Sequence, residues 1–104
     1  MAFPGASDHR ITPAEGAALT RRHRRGGKPG EPKAFAFGRA ALDAILAQDG
    51  CAGIRAYLGR DEGGTPTLVL VGMDESGADL VAGEVMNRSL PCPPFCDQAS
   101  VLAV

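Results

Sequence analysis

The run Thr67-Leu68-Val69-Leu70-Val71 constrains the fold more than any other stretch of this chain. It is rich in β-branched side chains and apolar at odd and even positions alike. Successive side chains on a strand point to opposite faces, so a run of this kind suits a strand covered on both sides. It therefore predicts a central strand. Ile54, Ala56 and Leu58 alternate with Arg55 and Tyr57, the pattern of a half-buried strand, and the loop Arg60-Asp61-Glu62-Gly63-Gly64 leads from there to the central run. Asp74-Glu75-Ser76-Gly77 reads as a tight turn, after which Ala78 to Val85 is predicted to return as a third strand.

Helical signals come earlier. Thr12-Pro13-Ala14-Glu15 combines an N-cap, a proline suited to the first helical position and a capping-box glutamate. The helix should run to about Arg25. Its apolar face (Ala14, Ala17, Ala18) is thin, so it must approach its partner closely, and its arginines fall where cations complement the helix dipole. Residues 26–33, Gly26-Gly27-Lys28-Pro29-Gly30-Glu31-Pro32-Lys33, should end it in a mobile loop. Lys33 to Phe37 alternates as a short extended lead-in. Ala41, Leu42, Ile45 and Leu46 then recur at helical spacing before Gly50, predicting a second helix over about 38–48.

These elements predict one α+β domain over residues 1–104. Two N-terminal helices pack on an antiparallel sheet of about three strands, and a Pro/Cys-rich C-terminal segment crosses it. Residues 1–11 read as a loose arm and residues 97–104 as an apolar tail that docks on the core or on another subunit. Hydrophobic residues make up 44% of the chain and charged ones 22%, which places it among folded rather than disordered sequences. With only Phe3, Phe35, Phe37, Phe95 and Tyr57 aromatic, the core rests on small aliphatic side chains, and modest stability or help from oligomerisation is expected. The longest apolar run, Leu68 to Val71, is far short of a membrane span, and Met1 to Gly5 has no leader character, so a cytoplasmic location is expected.

Net charge is −1, yet the charges are segregated. Residues 21–33 carry six basic residues against one acid, and residues 43–97 nine acids against three arginines. Such a distribution favours an acidic partner for the first half or self-association between opposite faces, with a protein partner preferred to nucleic acid. Arg21, Arg22, Arg24, Arg25 and Lys28 are a candidate anion or nucleic-acid site. No aromatic residue interleaves them for base stacking, so a solvated helix end is the preferred reading.

Three prolines stiffen Leu90-Pro91-Cys92-Pro93-Pro94-Phe95-Cys96 and hold Cys92 and Cys96 in a restricted geometry. Three readings fit. The thiols are small buried hydrophobes in a rigid cap, or metal ligands, or a disulfide or redox pair. A structural zinc ion would need four ligands, which Cys51, Cys92, Cys96 and one of His9 or His23 could supply, although the usual close pair has two intervening residues. As a disulfide the pair would close a five-residue loop, worth about 2 kcal/mol from loop entropy. Cys51, at a helix-to-strand junction, reads as a buried small residue. A cysteine nucleophile would need a base within reach, and neither histidine sits in a motif that supplies one. Asp74, Ser76 and Asp79 lack the bidentate glutamate of a calcium loop. No catalytic constellation is legible, and the sequence reads more readily as a non-enzymatic interaction module than as an enzyme.

Gly50-Cys51-Ala52-Gly53-Ile54-Arg55-Ala56-Tyr57, Leu68-Val69-Leu70-Val71-Gly72-Met73-Asp74 and Pro91-Cys92-Pro93-Pro94-Phe95-Cys96 together resemble a group of small uncharacterised bacterial proteins. The resemblance spans about residues 12 to 96 and implies a small soluble bacterial protein, with no activity to carry over. If the three cysteines of these motifs belong together, Cys51 approaches Cys92 and Cys96 in space.

Overall fold

The computed structural model describes residues 2–103; Met1 and Val104, the outer ends of the expected arm and tail, lie outside them. In chain order the described elements are α1 (Pro13–Gly26), β1 (Ala34–Ala36), α2 (Arg39–Leu46), β2 (Gly53–Arg60), β3 (Pro66–Met73), β4 (Val85–Met86) and β5 (Leu90–Cys92). The chain divides into two compact units. The first joins Met1–Ser7 to Phe37–Ser89, and the second joins Asp8–Ala36 to Leu90–Val104. None of the described helices is long and apolar enough to cross a membrane.

The first unit is built on an antiparallel sheet in the order β2-β3-β4. The strand that is apolar on both faces, β3, takes the centre. Its register with β2 is unbroken from Gly53↔Met73 to Arg60↔Pro66, so no bulge interrupts the eight pairs. Leu70 and Val71, on opposite faces of β3, are both buried. α2 packs on β2 and β3 through the face carrying Ala41, Leu42 and Ile45, and Ile45 is fully buried. That approach depends on Gly72. A Cβ there would lie 2.8 Å from Gln48 Nε2, 3.0 Å from Cys51 Sγ and 3.2 Å from Ile45 Cγ2. Gln48 follows the helix and holds it to the next segment. Its Nε2 donates to the Ile45 carbonyl at 2.9 Å, and its Oε1 accepts the Glu84 N–H at 2.8 Å.

The third strand is much shorter than the predicted Ala78–Val85. Only Val85 and Met86 pair with β3, opposite Val71 and Leu70, and Asp79 makes one isolated bridge to Met73. Two local causes divide the segment. Gly83 donates its N–H to the Leu80 carbonyl at 3.1 Å, closing a turn, and Glu84 gives its N–H to Gln48 rather than to a strand. The preceding turn, Asp74–Ala78, forms where expected. Gly77 (φ +86°) supplies its left-handed residue, and Asp74 Oδ1 accepts N–H bonds from Ser76 and Ala78. Part of the expected arm is engaged in this unit. The Phe3 N–H donates to the Glu75 carbonyl at 2.6 Å, and the Phe3 ring lies where a Cβ on Gly53 would be.

In the second unit, α1 starts on a complete capping box. The Thr12 hydroxyl accepts the Glu15 N–H at 3.1 Å, and the Glu15 carboxylate accepts the Thr12 N–H at 3.2 Å. Gly16 and Ala17 are buried, and Leu102 and Ile11 face Gly16 closely enough that a Cβ there would lie 3.1 Å and 3.7 Å from them. The thin alanine face is thus matched by a close neighbour. The loop after the helix contains a turn of type II pattern, with Pro29 followed by Gly30 at φ +85° and the Glu31 N–H reaching the Lys28 carbonyl at 3.2 Å.

The Pro/Cys segment does not extend the three-stranded sheet. It forms β5, which pairs antiparallel with β1 as a separate two-stranded ribbon, Ala34↔Cys92, Phe35↔Pro91 and Ala36↔Leu90. Proline lacks an N–H and is confined to strand edges. A two-stranded ribbon consists only of edges, so Pro91 is accommodated there. The chain is α+β with two helices, as expected. The correction lies in the distribution of its parts: α2 packs on the main sheet, while α1 and the Pro/Cys strand belong to the other unit.

Candidate functional site

The alternating pattern of β2 places Arg55 and Tyr57 on one face of the sheet. Asp79, held by its bridge to Met73, meets both. Arg55 Nη1 donates to Asp79 Oδ1 and, at 3.1 Å, to the Gly77 carbonyl, while the Tyr57 hydroxyl donates to Asp79 Oδ2. The Tyr57 hydroxyl, followed by the Arg55 guanidinium, holds the Asp79 carboxyl below the usual carboxylate range, against the opposing effect of burial. The same carboxylate raises Arg55 above the ordinary arginine value. With both oxygens engaged, this carboxylate is a clasp that ties the turn after β3 to β2. It is not poised to take a proton from a substrate. The sequence places Asp79 in the predicted third strand, with no sign of this contact at that position. The signal for the clasp was the Arg-x-Tyr spacing on a strand, which puts two donors on one face.

At the other candidate, the ribbon brings Cys92 and Cys96 together. The Lys33 N–H donates to the Cys92 carbonyl at 2.7 Å, and the Phe95 N–H to the Pro91 carbonyl at 2.9 Å, which turns the chain back on itself. The Cys92-Pro93 and Pro93-Pro94 peptide bonds are cis. The two Cα atoms lie 4.9 Å apart, with the sulfurs at disulfide-bonding distance. Cys92 is buried and Cys96 half-buried. Joined in this way they offer no thiolate to a zinc ion. Cys51 belongs to the first unit, where its half-buried thiol donates to the Gly53 carbonyl at 3.3 Å. Among the described residues no group of three or more His, Cys, Asp or Glu side chains is placed to hold a metal ion. His9 and His23 are both exposed.

Arg24 is set apart from the other basic residues of α1. Arg24 lies two turns beyond the buried Ala17, on the packed side of α1, and its Nη1 donates to the Leu102 carbonyl at 2.8 Å. Arg21, Arg22, Arg25 and Lys28 are exposed. Lys33 reaches the Ala103 carbonyl with its Nζ at 3.0 Å. Two cations are therefore spent on holding the expected apolar tail within the second unit. Charge also follows the division of the chain. The first unit holds eight acids against four arginines, and the second seven basic residues against four acids.

The least usual property of the surface is apolar. Among the described residues eleven large apolar side chains are exposed, and only six apolar residues are buried. Leu58 is 90% exposed and its neighbour Tyr57 46%, both on the free side strand β2 of the three-stranded sheet. Strand alternation predicted that Leu58 would face the core; burial at an edge depends on what lies beside it, which local pattern does not encode. No family model matches the chain, and no curated protein or solved structure is significantly similar to it.

Proposed function

We propose that this chain is a non-enzymatic assembly module that associates with protein surfaces, its own copies foremost. The observation that supports this reading is the excess of exposed over buried large apolar side chains among the described residues, eleven against the four of Ile45, Leu70, Val71 and Met73. Apolar surface left in water marks an association site where it is contiguous. The segregation of acids and bases between the two units adds complementary charge. Because Arg24 and Lys33 hold the carbonyls of Leu102 and Ala103, the reading assigns the contact to the sheet rather than to a free tail. The bacterial setting rests on the motif resemblance alone, and the cytoplasmic one on the expectation drawn from the sequence. Sedimentation velocity over a hundredfold concentration range is the test. A concentration-dependent rise in mass is expected, and a strictly monomeric chain throughout would remove the reading.

A second reading is a thiol redox protein, and the specific observation favouring it over zinc binding is the joined pair Cys92–Cys96. A dithiol reductant would pass two electrons to the pair and leave two protein thiols. The more accessible sulfur is that of Cys96, and attack there expels the buried Cys92 as a thiolate, which burial disfavours. Exchange should therefore be slow. Alkylation of freed thiols after timed exposure to a dithiol, read by mass, separates a reversible pair from a permanent staple.

A further inference from the structure

We infer that β2 is a homodimer edge, at which two copies pair antiparallel about a two-fold axis passing through Leu58 and form one continuous six-stranded sheet. This rests on the assembly reading and names its partner. The first observation is the state of the edge. β2 is an outer strand of the sheet, and among the described residues no backbone hydrogen bond of residues 54–60 goes anywhere but to β3. Ala56, Tyr57, Leu58 and Arg60 are exposed. Edge strands are ordinarily protected by proline, lysine, a bulge or a covering element. β2 is eight residues long, contains no proline or lysine, and keeps an unbroken register.

The second observation is the register that charge selects. In an antiparallel ladder, opposed residues alternate between hydrogen-bonded and non-hydrogen-bonded pairs. A two-fold axis makes a pair and its symmetry mate the same kind, so it must pass through a residue facing its own copy. Four residues lie near the middle of the exposed stretch. An axis on Ala56 sets Arg55 against Tyr57. On Tyr57 it sets Arg55 against Gly59, and on Gly59 it sets Leu58 against Arg60. An axis on Leu58 sets Arg55 against Asp61, twice by symmetry. It also sets Tyr57 against Gly59, where an aromatic ring can cover a bare backbone, and Leu58 against Leu58. Only this register pairs opposite charges, with Asp61 one residue past the end of β2 and Arg55 also bonded to Asp79. It also extends an apolar row, since Leu58 is already opposite Leu68 in β3. The most exposed of the large apolar residues thus falls on the axis.

The experiment uses the full chain. Sedimentation velocity is run on the natural protein and on Leu58→Lys, which sets two like charges against each other at the axis. Leu58→Cys and Ala56→Cys are oxidised in parallel and their disulfides located by peptide mapping, which distinguishes them from any made by Cys51. On the proposed axis the two Cα atoms at position 58 lie about 5 Å apart, within disulfide reach. Those at position 56 are offset along the strand by about 13 Å and cannot be joined. The expected result is a natural dimer whose dissociation constant rises at least tenfold in Leu58→Lys, a disulfide between the two copies of position 58, and none between those of position 56. A dimer that survives Leu58→Lys and gives no such disulfide would overturn the β2 edge while leaving the assembly reading standing. A monomer at every concentration would overturn both.

Discussion

Replacing Ile45 with alanine tests the account of the first unit most directly. Ile45 is fully buried at the contact between α2 and the sheet. The substitution removes three carbon groups, worth about 0.8 kcal/mol each in transfer free energy, or about 2.4 kcal/mol. A cavity contribution adds to this where neighbours cannot move in. Here they are constrained: Gly72 has no side chain to offer, and Gln48 is held at both ends by the Ile45 carbonyl and the Glu84 N–H. The expected loss is therefore about 3–4 kcal/mol, within the range of buried aliphatic truncations. Urea unfolding followed by far-UV circular dichroism, without reductant so that Cys92–Cys96 stays closed, measures it. Gly72→Ala provides the internal control. Its methyl would crowd Gln48, Cys51 and Ile45 and should cost about 1–3 kcal/mol by overpacking. In the double variant one of the three obstructions is gone, so the combined loss should fall short of the sum of the two. A loss below about 1 kcal/mol for Ile45→Ala, or strict additivity with Gly72→Ala, would refute the packing described for this contact.

Thr12→Ala removes the capping hydroxyl of α1 and should lower stability by about 1 kcal/mol, read as a shift in urea midpoint at unchanged slope; no shift would mean that the capping box contributes nothing. The folded-state value of Asp79 lies below the ordinary 3.8, so its contribution is complete above about that pH and disappears as pH falls through the lowered value. The stability difference between the natural chain and Asp79→Asn should therefore close in acid; a difference independent of pH would contradict the clasp. Replacing Cys92 and Cys96 together with serine should cost about 2 kcal/mol from loop entropy, measured in the same unfolding assay, and an unchanged midpoint would mean that the bond constrains nothing.

The legible parts of this fold are those whose causes are local. Thr12, Pro13 and Glu15 announce α1 within four residues, and the structure contains that capping box. The alternation of β2 and the two-faced character of β3 likewise lie within each strand. The third strand could not be read this way, because it is cut short by Gln48, far away in sequence, which takes the Glu84 N–H. The ribbon was also hidden: Ala34–Ala36 and Leu90–Cys92 are too short to identify one another, and only their meeting makes either a strand. The cysteines illustrate the same limit at the candidate site. Their spacing and prolines permitted a cap, a metal site or a disulfide, and the choice depends on where one sulfur lands relative to the other. Exposure at β2 is a property of the absent neighbour, so Leu58 carried no local sign of lying at an open edge.

The pairing of β1 with β5 also bears on the order in which this chain can acquire its structure. β2 and β3 are joined through residues 61–65, so their hairpin closes across a short loop and can form as soon as both strands have been synthesised. β1 emerges earlier than either, yet its partner arrives only after residues 37–89 have been made. During synthesis on the ribosome Ala34–Ala36 must therefore wait, unpaired, while the segment that follows it folds. The first unit would be complete before the second could close, and the Cys92–Cys96 bond would form only after residue 96 has been made, later than the hairpin of β2 and β3.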